Sequence, residues 1–372
     1  MKFLISIKLS DRSMWNHISP ITNLDAIEGI TIVRDTPGPT IKKVRYANIM
    51  QQPFVSPILN IPVKLAQLIQ LICLSLIEKP SLIHSYLLFP YGYLALIAGK
   101  LTGRKVGVSL IAGPVETYML GGSPIGKYAY GRPLPQSNTI NSLVLSILKR
   151  FDFITVTGTF TRDYLVIRGF DEHKIFVLPH SVDERFRPLD IEKDYDVVFV
   201  GRLAKVKHID TIIRATAQIQ KTLPSIHVAI VGDGEERNKL EELAHSLGLD
   251  GQIDFIGYQT NTWDWYNRGK ISILTSEREG FPYTVIESLK CGVPTVVSDC
   301  GDVNDIVKDS FNGRIISDYN DHEAYAKVIV DLLTHPDLIK VYSENCLLTL
   351  DGHSSNSVES TWGEIIARAL QN

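Results

Sequence analysis

Cysteine is scarce in this chain, with four in 372 residues. Cys73, Cys291, Cys300 and Cys346 are too widely spaced for a disulfide framework or a metal-ligand cluster. Such usage implies a reducing cytoplasm. Net charge is nearly absent at −3, and with no recognition motif in view a nucleic-acid partner is not expected. No apolar run reaches membrane-spanning length. The longest, residues 61–77, carries Lys64, Gln67 and Gln70 on a helical repeat. It reads as an amphipathic core helix, with docking at a membrane interface as the second reading. The opening residues 1–9 are too short for a signal peptide, lack a cleavage pattern and are expected to form the first strand. There is no low-complexity tract and no Gly-x-Gly-x-x-Gly with a following acidic residue, which argues against a dehydrogenase.

What is present is alternation. With 44% hydrophobic residues the chain can build two or three cores. Strands are expected near residues 2–8, 30–34, 43–47, 81–85, 105–110, 153–156 and 175–178, and helices near 62–78, 91–102, 139–150 and 160–169. The second half repeats the pattern through strands near 196–200, 227–231, 253–256, 271–275 and 294–298. This predicts an α/β protein with two doubly wound parallel sheets. The polar stretch 179–194, carrying Pro188, is the expected linker, and a last helix is expected over 361–370, after the breaker-rich 351–360. The expected domains are 1–188, joined by 355–372, and 189–354. Charge divides the same way: residues 1–190 hold 21 Lys and Arg against 13 Asp and Glu, and the remainder 17 against 28. A basic first half suits a phosphate-bearing acceptor or an anionic membrane surface, unless its charge is scattered without forming a patch.

Glu279-Gly-Phe-Pro-Tyr-Thr-Val-Ile-Glu287 sets two carboxylates eight positions apart. A buried strand before it and a helix from Thr284 place free backbone N–H groups and a positive dipole end where a diphosphate can sit. Glu279 then belongs to the loop at the strand's end, and Glu287 to the first turn or so of the helix. One carboxylate can face a sugar and the other a ribose. Arg202 and Lys207 follow another apolar strand. Cations at that position oppose the dipole of the next helix, so an anion is expected to compensate them. They suit a leaving group whose negative charge grows as a bond breaks. Gly232-Asp-Gly234 is either a plain strand-to-helix turn or part of a nucleotide site. Residues 113–135, rich in glycine and proline, form either an acceptor-gripping lid bearing Tyr118, Tyr128, Tyr130, Lys127 and Arg132 or a segment without a role.

The order and spacing of these motifs, with Gly257-Tyr258, Gly292-Val-Pro, Gly301 and Asn312-Gly313, closely resemble the C-terminal half of the retaining glycosyltransferases of family 4, over about residues 195–320. The resemblance implies the GT-B fold of two facing Rossmann-like domains, with a C-terminal helix crossing back to the first. The first domain would bind acceptor and the second a nucleotide-sugar donor. It implies that Glu279, Arg202 and Lys207 are catalytic. Glu287, Gly280, Phe281, Tyr283, Thr284, Gly232, Gly257 and Tyr258 would bind donor, with Glu279 on the sugar, Glu287 on the ribose hydroxyls and the Tyr283 and Thr284 amides on the diphosphate. Base contacts through backbone near Gly257 leave base identity without a side-chain signature; of UDP- and GDP-sugars, UDP is favoured. His84, just past strand residues 82–83, and Tyr118 are the acceptor-side candidates, a structural histidine being the alternative for His84.

Three departures stand in the first half. Ser10-Asp-Arg-Ser-Met-Trp-Asn-His17 occupies the place of the family's glycine-rich loop, Ala112-Gly113 replaces His-Gly, and His180-Ser-Val-Asp183 replaces Asn-Gly-Val-Asp. Asp194-Tyr-Asp196 is assigned no metal, and no cofactor is expected. The expectation is a metal-independent transfer to a glycan or lipid-linked sugar, in the cytoplasm or at the inner face of the membrane. A nucleotide-sugar epimerase or hydrolase, distinguished by donor turnover without acceptor, is one rival. A donor-binding subunit without transfer is the other.

Overall fold

The structure is a computed structural model describing residues 1–34, 36, 38–48, 63–117, 139–178 and 180–370. Tyr118 and residues 119–138 lie outside the described residues. The described chain divides into two compact units, one from residues up to Ser181 together with those from His353 onward, the other Val182–Gly352.

The first unit is built on β1 (Lys2–Ser6), β2 (Gly29–Arg34), β3 (Val44–Asn48), β4 (Leu82–Tyr86), β5 (Lys105–Leu110), β6 (Phe153–Val156) and β7 (Ile175–Val177). All pair in parallel, in the order β3-β2-β1-β4-β5-β6-β7. Helices α1 (Asp11–Asn23), α2 (Val63–Glu78), α3 (Tyr93–Thr102), α4 (Thr139–Leu148) and α5 (Thr159–Ile167) make the crossovers. A parallel sheet covered on both faces explains why its strands are near-continuous apolar runs.

The second unit repeats the plan with β8 (Tyr195–Val200), β9 (Val228–Val231), β10 (Ile253–Gly257), β11 (Gly269–Leu274), β12 (Thr295–Ser298) and β13 (Gly313–Ile316). Their order is β10-β9-β8-β11-β12-β13, again all parallel. Its helices are α6 (Ile209–Ile219), α7 (Arg237–Ser246), α8 (Thr262–Arg268), α9 (Tyr283–Lys290), α10 (His322–Thr334) and α11 (Pro336–Cys346). Two apolar cores flank this sheet, one holding Phe199, Ile213 and Tyr325, the other Val198, Ile286 and Val303.

At four places the structure corrects or adds to the expectations. The glycine-rich loop is replaced by a helix at residues 10–17: Ser10 caps α1, its hydroxyl accepting the Ser13 N–H at 3.2 Å, and Met14, Ile18 and Ile21 face the core at helical spacing. The last helix, α12 (Ser355–Ile365), begins inside the stretch read as breaker-rich, because Ser354 caps it through Ser357 N–H. A further helical turn, Ile366–Leu370, continues it. β13 went unread as a strand. Helix α2 buries Gln67, Gln70 and Ser75 beside Ala66 and Leu71 and leaves Leu65, Ile69, Leu76 and Ile77 exposed, so polar positions expected to face water are turned inward.

α12 belongs to the first unit's core. Trp362 is fully buried, 6.0 Å from the Phe3 ring, 5.2 Å from His84 and 6.4 Å from Phe153. His84 is thereby corrected too. It lies in the middle of β4, not past it, fully buried and stacked 5.7 Å from Phe153, with Nε2 2.8 Å from Ser109 Oγ. Burial drives its pKa down to about 3, with His17 nearby adding to the shift. Burial likewise lowers His17 to about 4 and His180 well below the ordinary value. Burial raises Glu116 to about 7, although its carboxylate accepts the Leu88 and Ala112 N–H groups, each at 2.7 Å.

Two outcomes follow for the first unit. Trp362→Ala should lower its unfolding free energy by about 3–5 kcal/mol, the range for deleting a buried tryptophan; chemical denaturation measures it. The neutral histidines take up protons on unfolding below about pH 6.5, whereas Glu116, protonated when folded, releases one. Between about pH 4.5 and 6 the net uptake is about two protons, so stability falls with acidification by about 1.4 kcal/mol per pH unit per proton. Denaturation midpoints across that range should show the slope, and His84→Gln should roughly halve it.

Candidate active site

In the second sheet the strand order reverses between β8 and β11, so crossovers leave these neighbours in opposite directions and open a crevice at their carboxyl ends. The loop after β8 carries Arg202 and Lys207, and the loop after β11 carries Glu279. The structure joins them: Lys207 Nζ and Glu279 Oε1 are 2.5 Å apart, with the two side chains 18% and 15% exposed. Partial withdrawal from water strengthens such a pair relative to a surface one. Arg202 is exposed and, among the described residues, pairs with no carboxylate. The site thus presents one matched cation and one open to a ligand's negative charge.

The backbone holds the two loops in register. Thr275, next after β11, shares its hydroxyl hydrogen between the carbonyls of Lys207 at 2.8 Å and His208 at 3.0 Å. Glu277 N–H donates to Val206 carbonyl at 2.9 Å. His208 adopts a left-handed conformation at φ 46°. Its ring centre lies 4.5 Å from that of Tyr319, and its Nε2 3.6 Å from Glu277 Oε2. On the other side, Gly301 (φ 60°) is pressed against the Glu279 loop; a Cβ there would sit 2.3 Å from Gly280 carbonyl. Asp302 N–H donates to that same oxygen at 2.9 Å.

The three loops after β8, β9 and β10 stack through glycine. Gly232 (φ 141°) donates its N–H to Gly257 carbonyl at 2.9 Å, and a Cβ on it would meet Gly201 carbonyl at 1.8 Å. Tyr258 follows, 75% exposed. α9 starts at Tyr283 with no side-chain cap on its N terminus, and Tyr283 and Thr284 are half-buried in its first turn. Uncapped N–H groups and the helix dipole favour an anion there. Phe281 points into the apolar core, so only its backbone is available to a ligand. Glu287 stands in the second turn of α9, not the first, 4% exposed, with the Tyr266 hydroxyl donating to it at 3.4 Å. Asp194 and Asp196 lie at the opposite, amino end of β8 and pair with Arg268 at 2.5 Å and Lys270 at 2.8 Å.

Sequence reasoning missed Thr275, Glu277 and His208. Glu277 offered a signal, as a third carboxylate two positions before Glu279; Thr275 offered none, since one hydroxyl at a strand's end is ordinary.

Residues 181–346 match the family Glycosyl transferases group 1. The second unit holds a glycosyltransferase group 1 domain. Among curated relatives, the poly(glycerol-phosphate) alpha-glucosyltransferase of Bacillus subtilis is 26% identical over 220 residues, 58% of this chain and 32% of the relative. The Campylobacter jejuni GalNAc-alpha-(1->4)-GalNAc-alpha-(1->3)-diNAcBac-PP-undecaprenol alpha-1,4-N-acetyl-D-galactosaminyltransferase is 29% identical over 219 residues, 58% of this chain and 60% of the relative. The chain thus spans about a third of the first relative and under two thirds of the second. Among solved structures, Anabaena HepE in complex with UDP superposes with a TM-score of 0.76 over 99% of this chain and 100% of its own, at 15% identity. That likeness establishes the GT-B fold, two Rossmann-like parallel-sheet domains.

Within the group 1 domain, Thr275→Val should release the Lys207 loop. It leaves two carbonyls without their shared donor, a loss of about 1–3 kcal/mol. Denaturation of the variant measures the loss, and hydrogen exchange should locate it in residues 205–208.

Proposed function

We propose that the protein is a retaining, metal-independent glycosyltransferase of the family 4 type, taking a sugar from a nucleoside diphosphate sugar, UDP-linked by preference, to a hydroxyl of a glycan or lipid-linked sugar. One observation carries the reading: the Lys207–Glu279 pair, fixed at the strand-order reversal beside the exposed Arg202 and the uncapped start of α9. A diphosphate is the anion that suits two cations and a helix N terminus together. Glu279 would hold the donor sugar and Glu287 the ribose. Gly232, Gly257 and the Gly280–Thr284 backbone would line the nucleotide, and Tyr258 the base. The second unit would bind donor and the first acceptor, in the cytoplasm or at the inner membrane face.

In the step proposed, the bond between the sugar's anomeric carbon and the β-phosphate oxygen breaks, and the acceptor oxygen bonds to that carbon on the same face. The acceptor proton passes to the departing diphosphate, whose growing charge Arg202, Lys207 and the Tyr283 and Thr284 amides stabilise. No protein nucleophile forms a bond. The UDP in the HepE structure and the sugar transfers in the relatives' names agree with this class.

Arg202→Ala and Lys207→Ala should each reduce transfer about 10²-fold or more, on the scale of lost charge-stabilising donors, with unfolding midpoints unchanged for the exposed Arg202. Wild-type rates in both would overturn the assignment. The anomeric configuration of the product, read by NMR, decides retention, and activity undiminished by chelator decides metal independence.

A further inference from the structure

We infer that the outer face of α2 and α3 in the first unit is a docking surface for the interface of an anionic lipid bilayer. The two helices pack side by side with a constant register. Lys64 Nζ donates to Tyr91 OH at 3.1 Å, beside the start of α3, and Ser75 Oγ lies 2.7 Å from Thr102 Oγ1 at its end. Both helices therefore run the same way and end together.

α2 buries polar side chains beside Ala66 and Leu71, α3 buries Ala95, Leu96, Ala98 and Gly99, and both leave aliphatic side chains exposed. Inward, Gln67 donates to Ser6 Oγ at 3.3 Å and accepts from Lys64 at 3.2 Å, and both side-chain polar atoms of Gln70 are buried with no partner among the described residues. Outward stand Leu65 at 47% exposure, Ile69 at 38%, Leu76 at 58%, Ile77 at 77%, Ile97 at 44% and Leu101 at 68%. On α2 the spacing of Leu65, Ile69 and Leu76 is that of one helical stripe, and Ile97 and Leu101 share a stripe on α3. Water disfavours this much exposed aliphatic surface. A hydrocarbon boundary reverses the preference, since the outward side chains offer no hydrogen-bonding group and need none there.

Charge selects the bilayer over other apolar partners. Lys79 and Lys100, both exposed, lie at the common carboxyl end of the two helices, and among the described residues neither pairs with a carboxylate. The only acidic residue on either helix, Glu78, is turned inward to Arg45 and Thr31 Oγ1. Aliphatic side chains rimmed by unpaired cations match the acyl boundary and headgroups of an anionic leaflet. Among the described residues no helix is long and apolar enough to cross a membrane, so attachment would lie in the interface plane. The inference deepens the lipid-linked acceptor reading, but its readout needs no transfer reaction.

Flotation of the full chain with vesicles of equal phosphatidylglycerol and phosphatidylcholine, and with phosphatidylcholine alone, tests it. The chain should float with the mixed vesicles, and less as salt rises, because headgroup attraction is screened over about 8 Å at physiological ionic strength. A Leu76→Glu, Ile77→Glu, Leu101→Glu triple variant should partition about tenfold less or worse. Lys79→Glu with Lys100→Glu should abolish the preference for the anionic vesicles. Ile167→Glu, at the 82%-exposed isoleucine of α5, should float as the unaltered chain does. The same circular dichroism in every variant shows that folding is not what changed. Failure to float at low salt, or equal flotation of the triple variant, would overturn the inference. So would a concentration-dependent dimer, without lipid, that the triple variant abolishes. If flotation behaves as expected while no donor sugar is turned over, the surface stands and the transferase reading fails.

Discussion

The hydroxyl of Thr275, bound to the carbonyls of Lys207 and His208, is the tie on which the site in the second unit depends. Reversal of strand order at β8 and β11 brings the two loops to one edge, but it does not fix their heights relative to each other. The tie does, together with the Glu277 to Val206 backbone bond. With both in place the Lys207 ammonium meets Glu279, and a lysine stem of four rotatable bonds gives up its freedom when so held. Gly301 closes the arrangement from the far side, where any side chain would collide with the Gly280 carbonyl. The charged atoms are thus placed by backbone geometry, and preorganised groups of this kind need no rearrangement when an anion arrives.

The first unit rests on a different constraint, an aromatic cluster around Trp362 that joins β1, β4, β6 and α12. His84 belongs to this cluster as a neutral ring, stacked on Phe153 and bonded to Ser109. A histidine so placed cannot take a proton near neutral pH without unpaired charge in an apolar core. Its position in the sequence, two residues before a strand's end, resembles that of a residue at the mouth of the sheet. Burial separates the two cases, and burial is a property of the tertiary structure.

Much of the fold was legible because parallel strands buried on both faces are written as apolar runs, and nearly every expected strand falls within two residues of an observed one. The motifs in the second unit's loops were legible for a related reason: Gly232 and Gly301 stand where positive φ and close backbone approach leave no room for a side chain, and Lys207 and Glu279 follow two apolar strands. What escaped needed context. α1 carried its pattern openly, in Met14, Ile18 and Ile21 after a Ser10 cap, but Pro20 and the polar residues between concealed it. α12 was hidden by serines that read as breakers, although Ser354 is where the helix begins. β13 is four residues long and follows a turn, too short for periodicity to separate from a loop.

α2 shows a deeper limit of periodicity. An amphipathic pattern fixes which residues share a face, and it leaves open which face meets the solvent, because that assignment presumes what the solvent is. In α2 the expectation that polar positions face water fails at Gln67 and Gln70, which are inward beside Leu71, while Leu65, Ile69 and Leu76 stand outward. The orientation follows from neighbours: Ser6 at the end of β1, Tyr91 before α3 and Thr102 at its end offer polar partners to Gln67, Lys64 and Ser75. These partners come from three separate places in the chain, and no local window of sequence contains them. Which face α2 buries is therefore set by residues outside its own window, whereas the turns at Gly232 and Gly301 follow from backbone conformations and close approaches that favour glycine locally.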